Sequence, residues 1–394
     1  MTQRPRKGIA ILGSTGSIGG SSLKVIARYP ERFSVVALAG GNNVDRMSEQ
    51  VLMFRPLLAS MAGEEGAAEL RKRVGSKVHM EILHGEDGLK AVATHPKAQL
   101  VVSSLVGAVG LLPTLYAIRE GKDVALANKE SLVMAGQIVT GEARENQVQI
   151  LPVDSEHSAV FQALKGHRRE DVRRIILTAS GGAFLGVSKE LLEEVTPKDA
   201  LEHPNWKMGE KVTVDSASLM NKALEVIEAR WLFDIPPSKI KVQIHPQSII
   251  HSMVEYVDGS LIAQMGIPDM QIPIAYALAY PERIKTGLPP LNLLDLGPLT
   301  FMEPSKEQFP ALDLAYEALK KGGVMPAVLN GANEEAVKSF LRGEIRFTRI
   351  VDIVGEVMKR HTDDDSSGDL ESILKADRRA RTTVREVIEG GVMK

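Results

Sequence analysis

Through the first 150 residues, short apolar runs rich in β-branched side chains alternate with stretches whose apolar residues recur every three or four positions. The runs Gly8–Leu12, Ser34–Ala39, Leu100–Ser103, Asp123–Ala127 and Val148–Val153 predict strands, with helices between them. That alternation predicts an α/β region built on a doubly wound parallel sheet. Leu100–Ile118 carries no charge over nearly the length of a bilayer span. Ser103, Ser104, Gly107, Gly110 and Pro113 interrupt it, so a buried strand, a loop and a helix are predicted instead.

Beyond residue 154 the pattern changes. Strand-like runs at Arg174–Ala179, Ile240–Ile244, Ile249–Tyr256 and Ser260–Met265 lie among polar motif residues, predicting an α+β catalytic domain over 155–280. Residues 281–310 are proline-rich and read as a linker. Residues 311–394 read as a helical bundle, in which Leu370, Ile373, Leu374, Val384, Val387 and Ile388 keep helical spacing after an acidic run, Asp363–Asp369, suited to a helix start. The first 154 residues form the remaining domain.

Composition narrows the chemistry. A chain of 394 residues exceeds what one core organises, which agrees with several domains. A net charge of -2 makes no electrostatic case for nucleic acid. With no cysteine, thiolate catalysis, disulfides and cysteine-held metals are excluded. Met1–Lys7 runs into an apolar strand without a leader pattern, so a cytoplasmic protein is expected.

The segment GIAILGSTGSIGGSSLKVI orders a strand, a glycine-rich turn and a helix. Gly13, Gly16 and Gly19 let the backbone turn and approach a pyrophosphate, which the amides of the helix start then meet, as in a Rossmann-like site. The next strand ends Ala37-Leu38-Ala39-Gly40-Gly41-Asn42-Asn43, without the acid that would bond a ribose 2′-hydroxyl. NADPH is therefore expected over NADH, although Arg46 is the nearest cation.

In ILPVDSEHSAV, Asp154 and Glu156 stand two apart at a strand end, where alternate side chains share a face. A helix-capping reading of Asp-Ser-Glu competes. The stretch VDSASLMNKALEVIEARWLF reads as one amphipathic helix with Ser218, Asn221 and Glu225 on a polar stripe beside Lys222. Asp154, Glu156 and Glu225 suit a hard cation such as Mg²⁺ or Mn²⁺. Ser216, Asn221 and Lys222 suit a phosphate dianion, with the Thr178-Ala179-Ser180-Gly181-Gly182 turn adding donors. HPNWKMGEK reads as a flap over the substrate, against the simpler view that Trp206 anchors a loop. His245 and His251, on a strand among isoleucines, read as core groups.

Together GSTGSIG, ALANKESLVMAG, LPVDSEHSAVFQAL, TASGG, HPNWKMGEKVTVDSASLMNKALEVIEARWLF and HPQSIIHSMVEY resemble the 1-deoxy-D-xylulose 5-phosphate reductoisomerase family along nearly the whole chain. The resemblance implies rearrangement of a metal-bound α-hydroxy ketone, then reduction by NADPH to 2-C-methyl-D-erythritol 4-phosphate, in non-mevalonate isoprenoid synthesis. It also implies a homodimer acting on a small sugar phosphate, away from membranes, with one Mn²⁺, Mg²⁺ or Co²⁺.

Matching the motifs, Thr15, Gly16, Ser17 and Ile18 would bind the NADPH phosphates, Gly40, Gly41 and Asn42 its adenosine end, and Asn128, Glu130 and Gly209 other parts. Asp154, Glu156 and Glu225 would hold the metal. Lys129, Ser155, Glu156, Ser180, His203, Ser216, Asn221, Lys222 and Glu225 would meet the substrate, under Trp206 and Met208. Lys129, Glu156, His203 and Glu225 would serve catalysis, the proton carrier being Lys129, Glu156 or a metal-bound water. Two departures stand out: Gly41 where many relatives carry a cation, and Ala183 with Leu185 in place of a frequent Pro and Arg. A silent NADPH-binding sensor is the rival reading.

Overall fold

A computed structural model describes residues 5–202, 208–362 and 368–391. The chain parts into two compact units. The first comprises residues up to Ser131, Val139–Ser158 and Asp269–Leu288. The second comprises Leu132–Ile138, Ala159–Pro268 and the chain from Pro289 on. These boundaries differ from the predicted ones at 154, 280 and 310.

The first unit runs β1 (Lys7–Leu12), α1 (Ser17–Ala27), β2 (Phe33–Ala39), α2 (Val44–Phe54), β3 (Leu58–Met61), α3 (Glu64–Val74), β4 (Glu81–His84) and α4 (Gly85–Ala93). It continues with β5 (Leu100–Ser103), α5 (Leu111–Arg119), β6 (Asp123–Leu126), both ends of α6 (Lys129–Glu145), β7 (Ile150–Pro152) and the start of α7 (Ser155–Ala163). The seven strands are all parallel, in the order β4-β3-β2-β1-β5-β6-β7. Ile9, Ala10, Ile11 and Leu12 are wholly buried, as central strands covered on both faces must be. Strand order reverses between β1 and β5, so their carboxyl ends open the crevice where such sheets bind ligands.

The apolar helix α12 (Gln271–Ala279) belongs to this unit and packs on α1. Lys7 Nζ donates to the Leu278 carbonyl at 3.4 Å, Tyr29 Oη to that of Lys285 at 2.6 Å, and Arg32 pairs with Glu282 at 2.8 Å. The stretch read as the end of one domain and the start of a linker is thus bonded to the first.

In the second unit β8 (Val172–Ala179), β9 (Ile240–Ile244), β10 (Ile250–Tyr256) and β11 (Leu261–Met265) form a mixed sheet, ordered β11-β10-β8-β9. Between β8 and β9 lie the short helices α8 (Lys189–Leu192) and α9 (Pro197–Ala200), then α10 (Glu210–Ala217) and α11 (Met220–Phe233). The C-terminal part is helical as expected: α13 (Ala311–Lys321), α14 (Met325–Leu341), α15 (Arg349–Arg360) and α16 (Leu370–Gly391). α14 is buried along nearly its whole length and packs against α10, α13, α15 and α16. Asp369 Oδ1 accepts from the Ser372 amide at 2.8 Å, the cap predicted for the last helix. Among the described residues no helix is long and apolar enough to cross a membrane.

Candidate active site

The first unit places the glycine-rich turn at the crevice. Gly13 has φ +86°, and a Cβ there would sit 2.5 Å from the Ser104 carbonyl beyond β5. A Cβ on Gly19 would lie 2.3 Å from the Gly13 oxygen, so α1 can approach the turn only with glycine there. Gly16 is the N-cap of α1 and has no side chain to occupy the first amides, which leaves them to an anion. Gly16 and Ser17 are exposed, Thr15 and Ile18 half-buried.

A Cβ on Gly40 would meet Met47 Cε at 2.7 Å, whereas beside Gly41 nothing among the described residues comes within 4 Å. Asn42 is exposed. Asn128 is 1% exposed and its side chain is committed to the protein. Its Nδ2 donates to the Leu105 and Gly107 carbonyls and to Glu130, at 2.9, 3.0 and 2.9 Å, and its Oδ1 accepts from the Ser131 amide at 3.1 Å. Asn128 and Glu130 therefore shape the loop after β5.

The acidic motif follows in the same unit. β7 ends at Pro152, so Asp154 precedes α7 and Glu156 lies in its first turn. The two carboxylates are not alternate residues of a strand, and the helix-start reading describes the backbone. Lys129 Nζ donates to Asp154 Oδ2 at 2.8 Å, and Ser155 Oγ to Glu156 Oε2 at 2.6 Å. His157, given no role by the sequence reading, is wholly buried with Nδ1 3.9 Å from Asp154 Oδ2. The signal was its place three residues after Asp154 at a helix start, which puts both side chains on one face.

The second unit gathers the polar residues predicted to hold a phosphate. The segment read as one helix breaks at Leu219, which has φ 56°, so Ser216 lies in the last turn of α10 while Asn221, Lys222 and Glu225 ride on α11. Ser218 is therefore not on their stripe. α11 is not amphipathic either, since Met220 and the residues from Lys222 to Ala229 are buried. Glu225 has no exposed surface; Asn221 Nδ2 donates to its Oε1 at 2.6 Å and Lys222 Nζ pairs with its Oε2.

The TASGG turn lies against this corner. A Cβ on Gly182 would stand 2.5 Å from the Ser216 carbonyl. Ser180 is half-buried, but the Thr178 hydroxyl is turned into the sheet, 2.7 Å from the Ile250 carbonyl. His245 is a core group, as expected. Its Nδ1 is 2.9 Å from the Thr300 carbonyl and its Nε2 accepts from the amides of Ile249 and Ile250 at 3.2 Å each. Met208 is half-buried and Gly209 caps α10, while His203 and Trp206 lie outside the described residues.

Comparison with known proteins decides the family. Three family profiles match: 1-deoxy-D-xylulose 5-phosphate reductoisomerase over residues 9–136, its C-terminal domain over 150–233, and the DXP reductoisomerase C-terminal domain over 265–383. The reductoisomerase of Geobacter metallireducens is 55% identical, covering 97% of this chain and 99% of its own. That of Chlorobaculum tepidum is also 55% identical, covering 97% and 100%. The chain belongs to the 1-deoxy-D-xylulose 5-phosphate reductoisomerase family.

Solved structures of reductoisomerases agree in fold. A DOX-P reductoisomerase in complex with NADPH, fosmidomycin and magnesium superposes with a TM-score of 0.94 at 42% identity, covering 97% of this chain and 98% of that one. The Zymomonas mobilis reductoisomerase in complex with NADPH gives 0.91 at 42% identity, covering 98% and 100%. As a reductoisomerase the protein is an NADP-dependent enzyme, and the α/β sheet, mixed sheet and helical C-terminal part are those of the family.

Proposed function

We propose that the protein rearranges 1-deoxy-D-xylulose 5-phosphate and reduces the product with NADPH to 2-C-methyl-D-erythritol 4-phosphate, within isoprenoid synthesis, with the help of one divalent cation. The observation that carries the site assignment is Glu225, a carboxylate without exposed surface whose oxygens are met by Lys222 and Asn221 of its own helix. A buried charge so held serves poorly as plain packing, since an apolar side chain would cost less there. It suits a site that handles charge.

Asp154, Glu156 and Glu225 are the proposed cation ligands, and three carboxylates are the donor type that Mg²⁺, Mn²⁺ and similar hard ions take. When bound, the cation draws electron density from the substrate carbonyl and NADPH supplies the hydride. The chain does the rest. Lys129 and Lys222 balance the charge of Asp154 and Glu225. With that charge taken over, Lys222 joins Ser180, Ser216 and Asn221 in holding the phosphate, and Lys129 and Glu156 are the groups that move protons at the substrate oxygens. Ser155 orients Glu156. His203 meets the substrate, and Trp206 and Met208 exclude water from it. Thr15 to Ile18 hold the cofactor phosphates, Gly40 to Asn42 the adenosine end, and Asn128, Glu130 and Gly209 border the cofactor.

Glu225→Gln keeps the shape and removes the charge. It is expected to abolish metal-dependent NADPH oxidation and weaken Mn²⁺ binding followed by electron paramagnetic resonance, while NADPH binding followed by fluorescence stays near native. Native turnover in this variant would remove the ligand assignment. The silent-sensor alternative has no observation in its favour.

A homodimer is proposed through β11, an edge strand that pairs with β10 on one side and carries Leu261 54% exposed, beside Val257 at 66%. Light scattering at several concentrations tests it. A cytoplasmic place is proposed with it, where the NADPH pool lies.

A further inference from the structure

Asp215 stands one residue before Ser216, in a helix whose neighbouring positions Val214 and Ala217 are buried and apolar. It is itself 1% exposed. Its carboxylate accepts from Asn333 Nδ2 at 2.9 Å and pairs with Lys211 Nζ at 2.9 Å. Asn333 is wholly buried on α14. A carboxylate placed there brings a desolvation cost that leucine would avoid, so what it adds is alignment of α10 on α14.

Its backbone continues into the corner that follows. The Ser218 hydroxyl donates to the Asp215 carbonyl at 3.3 Å and accepts from the Met220 amide at 3.3 Å. Between them Leu219 is held at φ 56°, ψ 13°, a conformation a side-chain-bearing residue keeps only when its surroundings enforce it. The next turn presents Asn221, Lys222 and Glu225. Gly182 packs on the Ser216 carbonyl, so a shift of the end of α10 also reaches the Ser180 turn.

The far end of the link is anchored. Beside Asn333, Glu334 pairs with Arg381 at 3.1 Å and Glu335 with Arg385 at 2.9 Å, joining α14 to α16. Gly331 brings those helices together, since a Cβ there would meet the Asp377 carbonyl at 2.7 Å.

We infer that Asp215 is a positioning residue: through Asn333 and Lys211 it fixes the strained α10–α11 corner, and so the spacing of Ser216, Asn221 and Lys222 around the substrate phosphate. This rests on the phosphate-binding role proposed above for those three residues. Asp215 acts through them and touches no substrate.

The test compares Asp215→Ala, the milder Asn333→Ser, Lys222→Met and a remote core variant, Val354→Ala, in the full-length enzyme with NADPH and Mn²⁺. Asp215→Ala and Asn333→Ser are expected to raise KM for the sugar phosphate, and the inhibition constant of inorganic phosphate, by about tenfold, the scale of one well-placed bond to a charged oxygen. Their kcat at saturation and NADPH affinity are expected within twofold of native. Val354→Ala, lowering Tm similarly, is expected to leave KM unchanged. A high KM in Lys222→Met with native KM in both Asp215→Ala and Asn333→Ser would overturn the positioning role alone. Native KM in Lys222→Met would overturn the phosphate assignment and this inference with it. A KM that rises equally in Val354→Ala would reduce Asp215 to general stability.

Discussion

Substituting alanine for Gly19 drives a methyl group into the backbone of its own turn. The added carbon would lie 2.3 Å from the Gly13 oxygen, 2.5 Å from Ser14 Cα and 2.7 Å from the Ser14 carbonyl carbon, where about 3.5 Å is comfortable. None of these atoms is the end of a flexible side chain. The turn cannot easily retreat, because the Gly13 and Ser14 amides both donate to the Ala39 carbonyl, at 2.9 and 2.8 Å. Relieving an overlap of about 1 Å costs about 1–3 kcal/mol. Alanine's better helix propensity returns about 1 kcal/mol. The net loss is up to about 2 kcal/mol, together with displaced amides at Gly16 to Ile18, the proposed contacts to the cofactor phosphates. Losing even one such bond to a charged oxygen weakens NADPH by about tenfold or more.

Gly16→Ala, with a single contact at 3.3 Å, and Gly41→Ala, with none, supply the graded controls. Chemical denaturation and a fluorescence titration of NADPH measure the two effects. Stability is expected to fall in the order Gly19, Gly16, Gly41. Native stability and native NADPH affinity in Gly19→Ala would refute the packing argument.

Two further outcomes follow from the same geometry. Gly41 borders open space, so Gly41→Arg is expected to fit and to raise the ratio of NADPH to NADH affinity by about fivefold to tenfold, as an exposed charge-assisted contact to the 2′-phosphate; an unchanged ratio in paired titrations would place the 2′-phosphate elsewhere. Arg381 lies between Glu334 and Asp377, which hold its pKa above the ordinary arginine value against the opposing effect of burial. Arg381→Leu leaves two largely buried carboxylates without that cation and is expected to cost about 2–4 kcal/mol in urea denaturation, below the full figure because the arginine is partly exposed.

Elements whose residues carry their own pattern were legible in the chain. Gly8–Leu12, Leu100–Ser103 and Ile240–Ile244 lie in the strands that their β-branched runs predicted. Leu58–Met61 and Glu81–His84 were missed, because four residues are too few to show a period and their pairing neighbours lie elsewhere in sequence. The glycine-rich turn was also readable, since its three glycines answer a local need for tight backbone.

What distant parts of the chain impose on one another was not readable. The helical spacing of Ser218, Asn221 and Glu225 suggested one face, but packing holds Leu219 in a left-handed conformation and divides them between two helices. Asp154 and Glu156 were spaced for a strand, yet the strand ends at Pro152. After Gln271 α12 is apolar, and nothing in its own pattern says that it completes the first unit against α1. Asp215 and Asn333 stand 118 residues apart and meet as a buried pair. The sequence by itself determined the strands and helices with clear periods, the glycine-rich turn and the family, because each is written in neighbouring residues or in ordered motifs. Only the tertiary structure decided which helix carries which candidate site residue and which buried charge has a partner, because both depend on side chains that approach only once the cores are packed.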